Sequence, residues 1–200
     1  MKRYLCVFSL IASIILSAPA CSLVNEQTQP DTAQAVGSSI AADEIAAKLR
    51  AVGIQVNDLP SGYRLTITNT SPEDSDVPQN ADQGMAGFLL RQFESQGKMT
   101  IVNKIVAYRD EAAASQAFPL FTQGVMTYSD ELKINGITGD SMGSQENFKI
   151  GPLTQSNASF VFRKGQFISI FLFVNQSGHL DQELMNKTTN LVFERIQKIQ

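Results

Sequence analysis

Gly139-Asp140-Ser141-Met142-Gly143 is the stretch in which residue types and spacing could do covalent chemistry. It fits G-x-S-x-G, the pattern of a serine held on a sharp strand-to-helix turn. Such a serine attacks a carbonyl when a histidine takes its proton and backbone amides hold the oxyanion. His179, the only histidine, follows, and Glu146 lies between, so the order serine, acid, histidine is available. The flanks do not fit. Ile134-Asn135-Gly136-Ile137-Thr138 is too polar for a buried parallel strand, and Ser144-Gln145-Glu146-Asn147 does not read as the helix behind an elbow. Gly151-Pro152 then closes the stretch. The pattern reads as a Gly-Asp turn leading into a strand. No catalytic set is expected, and a small serine hydrolase using Ser141 and His179 stands as the alternative.

Asn69 to Gly84 is an acidic loop with Glu73, Asp74, Asp76 and Asp82. Carboxylates at this density can hold calcium through oxygen, which makes Asp74, Asp76 and Asp82 the metal candidates. Pro78, however, stands where an EF-hand loop needs an Asp or Asn ligand. A solvated loop without metal is the expectation. One histidine excludes a histidine-rich metal site, and the chain has neither a P-loop nor G-x-G-x-x-G, so no cofactor is expected.

The remaining reactive group is Cys21. Lys2 and Arg3 precede an apolar run from Leu5 to Leu16. A run of that length suits a signal-peptide core, about 7–15 residues, and falls short of the roughly 18 that span a membrane. Small residues at Ala18 and Ala20 place the cut before Cys21. Cys6 leaves with the apolar run, so the mature chain keeps one sulfur and closes no internal disulfide. Met1 to Cys21 resembles the signal sequence of a bacterial lipoprotein, in which the cysteine after the cut is acylated and becomes residue one. A general signal peptidase would cut the same bond and leave a free thiol. Acylation explains the leftover cysteine, and two or more acyl chains, at about 0.8 kcal/mol per buried methylene, anchor stably. The resemblance implies a palmitate-bearing protein anchored on the extracytoplasmic side. Ser22, not aspartate, follows the cysteine, which in that family leans toward the outer membrane or cell surface.

Loss of Lys2 and Arg3 leaves 14 basic against 19 acidic residues, a formal charge of −5. A mildly acidic chain without a basic cluster excludes nucleic acid as the expected partner. Residues 1–20 read as signal peptide and 21–38 as lipidated cysteine and polar, flexible tether. Residues 39–200 have the length of a single domain able to bury a core.

Within that body, Ile45, Leu49 and Val52 form a helical stripe that predicts a helix from near Ser39 to Val52, stopped by Gly53. Leu59 to Gly62 is a turn, and Tyr63 to Thr68 alternates like a half-buried strand. Gly87 to Glu94 suits a short helix or a strand. The hairpin-type Gln96-Gly97-Lys98 and the Ile/Val-rich Met99 to Tyr108 decide for a strand. Asp110 then caps a helix with Ala114, Ala117, Phe118 and Phe121 on one face, which Pro119 should kink or split. Ile134 to Leu153 predicts short strands around Gly136, Gly139 and Gly151. Ser159 to Arg163 turns through Lys164-Gly165 into Gln166 to Val174, which is apolar on both faces and belongs mid-sheet. A last helix starts near His179 or Asp181, with Leu184, Leu191, Val192, Ile196 and Ile199 as its stripe.

The fold expected is therefore α+β. Two strand-strand-helix units follow an N-terminal helix and build an antiparallel sheet with helices mainly on one face, leaving sheet surface or an edge for a partner. Gly87-Phe88, the Val106–Asp110 strand end, Gly139-Asp140-Ser141 and Phe162-Arg163-Lys164-Gly165 resemble a group of exported, sensor-like bacterial lipoprotein domains with no known enzymatic role. That resemblance implies architecture and compartment. The expected function is a membrane-anchored, non-catalytic binding or sensor-like domain, with an envelope scaffold as an alternative to it and to the hydrolase. The expected partners are the membrane, through the lipid, and an envelope protein or a small apolar ligand.

Overall fold

The computed structural model describes residues 32–71, 77–125 and 128–200. In chain order the elements are α1 (Thr32–Val52), β1 (Arg64–Ser71), β2 (Met85–Glu94), β3 (Thr100–Tyr108) and α2 (Glu111–Val125). Then come β4 (Asp130–Glu131), β5 (Ser141–Ile150), β6 (Leu153–Lys164), β7 (Phe167–Asn175) and α3 (Gln182–Ile199). The seven strands form one sheet in the order β1-β2-β3-β7-β6-β5-β4, and every neighbouring pair is antiparallel. The fold is α+β, built from the two expected strand-strand-helix units.

β7 shows why the layers form. Its alternation sends Phe167, Phe171 and Phe173 to one face, and Ile168 and Ile170 to the other. A strand apolar on both faces needs cover on both, and β7 lies fourth of seven. On the phenylalanine face α1 contributes Leu49 and Val52, and α3 contributes Leu184, Met185, Val192, Phe193 and Ile196. On the isoleucine face Ala114, Ala117, Phe121 and Val125 of α2 pack against Val106, Val161 and Ile168. Two helices thus share a face and the third covers part of the opposite one.

The helix starts follow from their caps. Asp110 Oδ1 accepts from Ala113 N at 2.8 Å, and Asp181 Oδ1 accepts from Leu184 N at 2.9 Å. Each such cap contributes about 1 kcal/mol. Four expectations change. Helix α1 begins at Thr32 rather than near Ser39, because Ala33, Gln34 and Ala35 favour helix and a lone Gly37 costs only about 1 kcal/mol. Pro119 does not split α2. It lies on the exposed side, as does Ser115 four residues earlier, so water can satisfy the carbonyl that Pro119 cannot bond. β5 is one ten-residue strand, not several short ones, and β6 starts at Leu153. β1 is exposed on both faces as far as Asn69 rather than half-buried, since among the described residues α1 approaches only its Thr70–Ser71 end.

Gly143 belongs to the packing. A Cβ there would lie 2.5 Å from Phe160 Cδ2 and 2.6 Å from the Leu132 carbonyl oxygen. Backbone cannot move as cheaply as a side-chain tip. Gly143→Ala is therefore expected to destabilise by about 1–3 kcal/mol, read as a lower urea midpoint at unchanged slope.

Candidate functional site

Ser141 and His179 are not brought together. Ser141 opens β5, exposed, and pairs with Phe162 of β6. His179 is exposed between β7 and α3, where its carbonyl accepts from Asn175 Nδ2. Asn175 pairs with Ser156, six residues along β6 from Phe162, which puts the two roughly 20 Å apart at about 3.3 Å per residue. Glu146 lies within β5, paired with Asn157. The rest of the motif is accounted for by the turn. Gly139 has φ +95°, Asp140 takes Arg163 Nη2 at 2.7 Å and Nε at 2.8 Å, and Gly143 yields to Phe160. Ser141→Ala and His179→Ala should each change stability by less than about 0.5 kcal/mol. A fluorophosphonate probe is expected to leave Ser141 unlabelled, and labelling lost in Ser141→Ala would restore the hydrolase.

Asp82 is exposed in the turn before β2, whereas Asp74, Asp76, Cys6 and Cys21 lie outside the described residues. Among the described residues no three His, Cys, Asp or Glu side chains gather as metal ligands.

A charged cluster that the sequence did not reveal sits behind β2. Arg91, 8% exposed, donates from Nη1 to the Ile54 carbonyl at 2.7 Å. Arg195 of α3 makes a two-pronged pair with Asp58, both contacts at 2.8 Å, and reaches the Gly53 carbonyl at 3.1 Å. Asn103 accepts from Ile54 N and donates to Ser169 Oγ at 3.2 Å. Burial pushes the Asp58 carboxyl up, but hydrogen bonds from Arg195 and the Gln55 N–H outweigh it and hold the group below its ordinary value. Burial, then Arg195 and Arg50, lower the Arg91 value, with Asp58 acting the other way. Each polar group here is bound to backbone or to its pair, so the cluster clamps the 53–58 segment to the sheet and α3.

The surface available to a partner lies on the other face. α2 leaves one half of it open. Ile67, Gln92, Val102 and Leu172 face each other in one row across β1, β2, β3 and β7. Arg64, Glu94, Thr100 and Val174 occupy the next row, at the strand ends. Val102, Leu172 and Val174 are half-buried and belong to neither core cluster, and Ile67 is 40% exposed. At the edge of this area the turn at Ser95–Lys98 and the one at Gln176–Ser177 enclose an open groove of about 770 Å³. A second open groove, about 700 Å³, runs between β4 and β5 past Ser141 and Tyr128. The sequence signal for the open face was the apolar second side of β7; which helix would cover it, and how far, was not in that signal.

No family model matches the chain, and no curated protein does. Among solved structures, the extracellular domain of PknH from Mycobacterium tuberculosis is similar, at 8% identity and a TM-score of 0.49, over 77% of this chain and 95% of that one.

Proposed function

We propose that this chain is the body of an exported lipoprotein: a non-catalytic domain, held outside the cytoplasm by acylated Cys21, that binds another envelope protein through the open half of its sheet. The observation that carries the reading is the row of Ile67, Val102 and Leu172, left outside both cores, interrupted by Gln92 and flanked by Arg64 and Glu94 at the strand ends. Small-molecule sites are usually concave, enclosed and mostly apolar, whereas the grooves here are open and their linings include many polar and charged side chains. A protein partner fits this surface better than a small apolar ligand. A sensor-like domain and an envelope scaffold would use the same surface.

Anchor and surface are tested separately. Cys21→Ala should abolish palmitate labelling and move the protein from the membrane pellet to the soluble fraction. A mature mass equal to the bare chain would defeat the anchor. A photo-crosslinking residue at Val102 should give a larger adduct in intact cells, while the same residue at exposed Lys198 should not. No adduct at Val102 would defeat the surface.

A further inference from the structure

We infer that β1 is a docking edge for an extended segment of a partner protein, one that carries acidic side chains where it meets Arg64 and Lys98. The inference rests on the protein-binding reading and names how the partner engages.

The two edges of the sheet differ in kind. One ends in β4, two residues long and acidic, Asp130-Glu131, which pairs with Ser144 and Gln145 alone, and beyond it the β5 edge carries the charges of Glu146 and Lys149. Short, charged edges of that sort discourage a further strand. The other ends in β1, eight residues long, with β2 as its one strand neighbour among the described residues and no charge between Arg64 and Ser71. From Arg64 to Thr70 its outer side presents a row of backbone donors and acceptors, the feature that strand-adding partners use. Thr66, Thr68, Ile67 and Thr70 favour strand, so the edge is preformed.

The irregularity at Thr66 shapes what can add. Leu65 pairs with Phe93, on the α1 and α3 side, whereas Ile67 pairs with Gln92, on the α2 side. These side chains are 39% and 40% exposed. An added strand would therefore find an apolar neighbour on each face. On the α2 side that neighbour lies in the same row as Val102 and Leu172, with Gln92 between, on the surface already assigned to the partner.

Charge selects the class of segment. The chain as a whole is acidic, at −3. The groups beside β1 are mainly basic. Arg64 and Lys98 line the 770 Å³ groove at its start, and Lys98 Nζ is held by the Ser61 carbonyl at 2.9 Å. Glu94 in the same groove lies opposite Arg64 and accepts from Gln92 Nε2 at 2.7 Å, and its single negative charge is outnumbered by Arg64 and Lys98. Arg91 lies opposite Thr68 but is buried with its Nη1 on the Ile54 carbonyl, so Arg64 and Lys98 are the selecting charges. The nearby carboxylate, Asp58, has both oxygens engaged by Arg195. Glu73, Asp74 and Asp76 follow β1 in sequence, so the acidic residues of the partner belong at the Arg64 end.

The test uses the acylated chain in detergent micelles and three fluorescein-labelled synthetic octapeptides. One alternates valine and threonine and carries two glutamates at one end; the second has lysines in their place; the third is the glutamate peptide with alternate backbone nitrogens methylated. Anisotropy titration should show the glutamate peptide binding at least tenfold tighter than the lysine peptide, and the methylated one not at all. Hydrogen exchange should slow at β1 amides. Arg64→Glu with Lys98→Glu, both exposed positions, should invert the charge preference without changing the circular dichroism. Equal affinities, binding no tighter than about 1 mM, the order of a non-specific contact, or no protection of β1 would overturn the inference. Self-association without peptide, abolished by Ile67→Lys, would assign the edge to a second copy and overturn the acidic occupant. If the peptides fail while Val102 still crosslinks a protein in cells, the edge inference falls and the sheet-face reading stands. If both fail, both fall.

Discussion

Phe162→Ala should lower the free energy of unfolding by about 3–5 kcal/mol, among the largest effects of any single truncation in this chain. The ring is fully buried in β6 beneath α3, edge-on to Phe193 at 5.4 Å between centroids. Its removal takes away the apolar transfer term and the aromatic contact together, and leaves a cavity that a strand backbone cannot collapse to fill. Domains of this size are stable by about 5–15 kcal/mol, so a large share would go at once. The midpoint of thermal unfolding should drop by about 10 °C, at the usual 2–4 °C per kcal/mol for 150–250 residues. Leu65→Ala, on exposed β1, is the control, expected within about 0.5 kcal/mol of the parent. A loss under about 1 kcal/mol for Phe162→Ala would mean that α3 is not seated on the phenylalanine face.

How far the sequence speaks depends on whether a feature is local. The caps Asp110 and Asp181, the turn glycines at 97 and 165 and the two-faced apolar run of β7 are signals a few residues long, and each has its counterpart in the fold. β5 has no such signal. Its Ser144, Gln145, Glu146 and Asn147 sit near the sheet edge, where one face needs little apolar cover, so the alternation that betrays a strand is missing. The exposure of β1 fails for the complementary reason. Tyr63 to Thr68 alternates, yet alternation records that a face can be buried, not that a helix arrives to bury it. The open surface on the α2 side is of the same type, because it is defined by where α2 stops. The G-x-S-x-G string shows the opposite error, a pattern whose residues are fully used by a turn, an ion pair and a close approach. The least legible feature is the clamp. Arg195 and Asp58 are 137 positions apart, and nothing in either neighbourhood announces the other.

That clamp carries the second large effect. Asp58→Ala should cost about 2–4 kcal/mol at pH 7, near the range for breaking a buried pair and discounted because the side chains keep 15% and 25% exposure. The loss exceeds that of the pair itself, since Arg195 and Arg91 would then share a partly buried region without the carboxylate that offsets them. Exposed Glu44–Lys48 is the contrast, an ion pair screened by water whose loss should leave the urea midpoint nearly unchanged. The sign of the pH dependence follows from the depressed carboxyl. A group held lower in the folded than in the unfolded chain stabilises fully above its unfolded value, 3.8, and loses that contribution as pH falls toward and through its folded one. Urea midpoints of the parent and Asp58→Ala should therefore lie far apart at pH 7 and converge below about pH 4. Asp58→Ala combined with Arg195→Met should recover part of the loss, because it removes the stranded cation along with its partner. Midpoints that stay equally separated down to about pH 2, or a double variant worse than the sum of the singles, would mean that something other than this ion pair holds the 53–58 segment to α3.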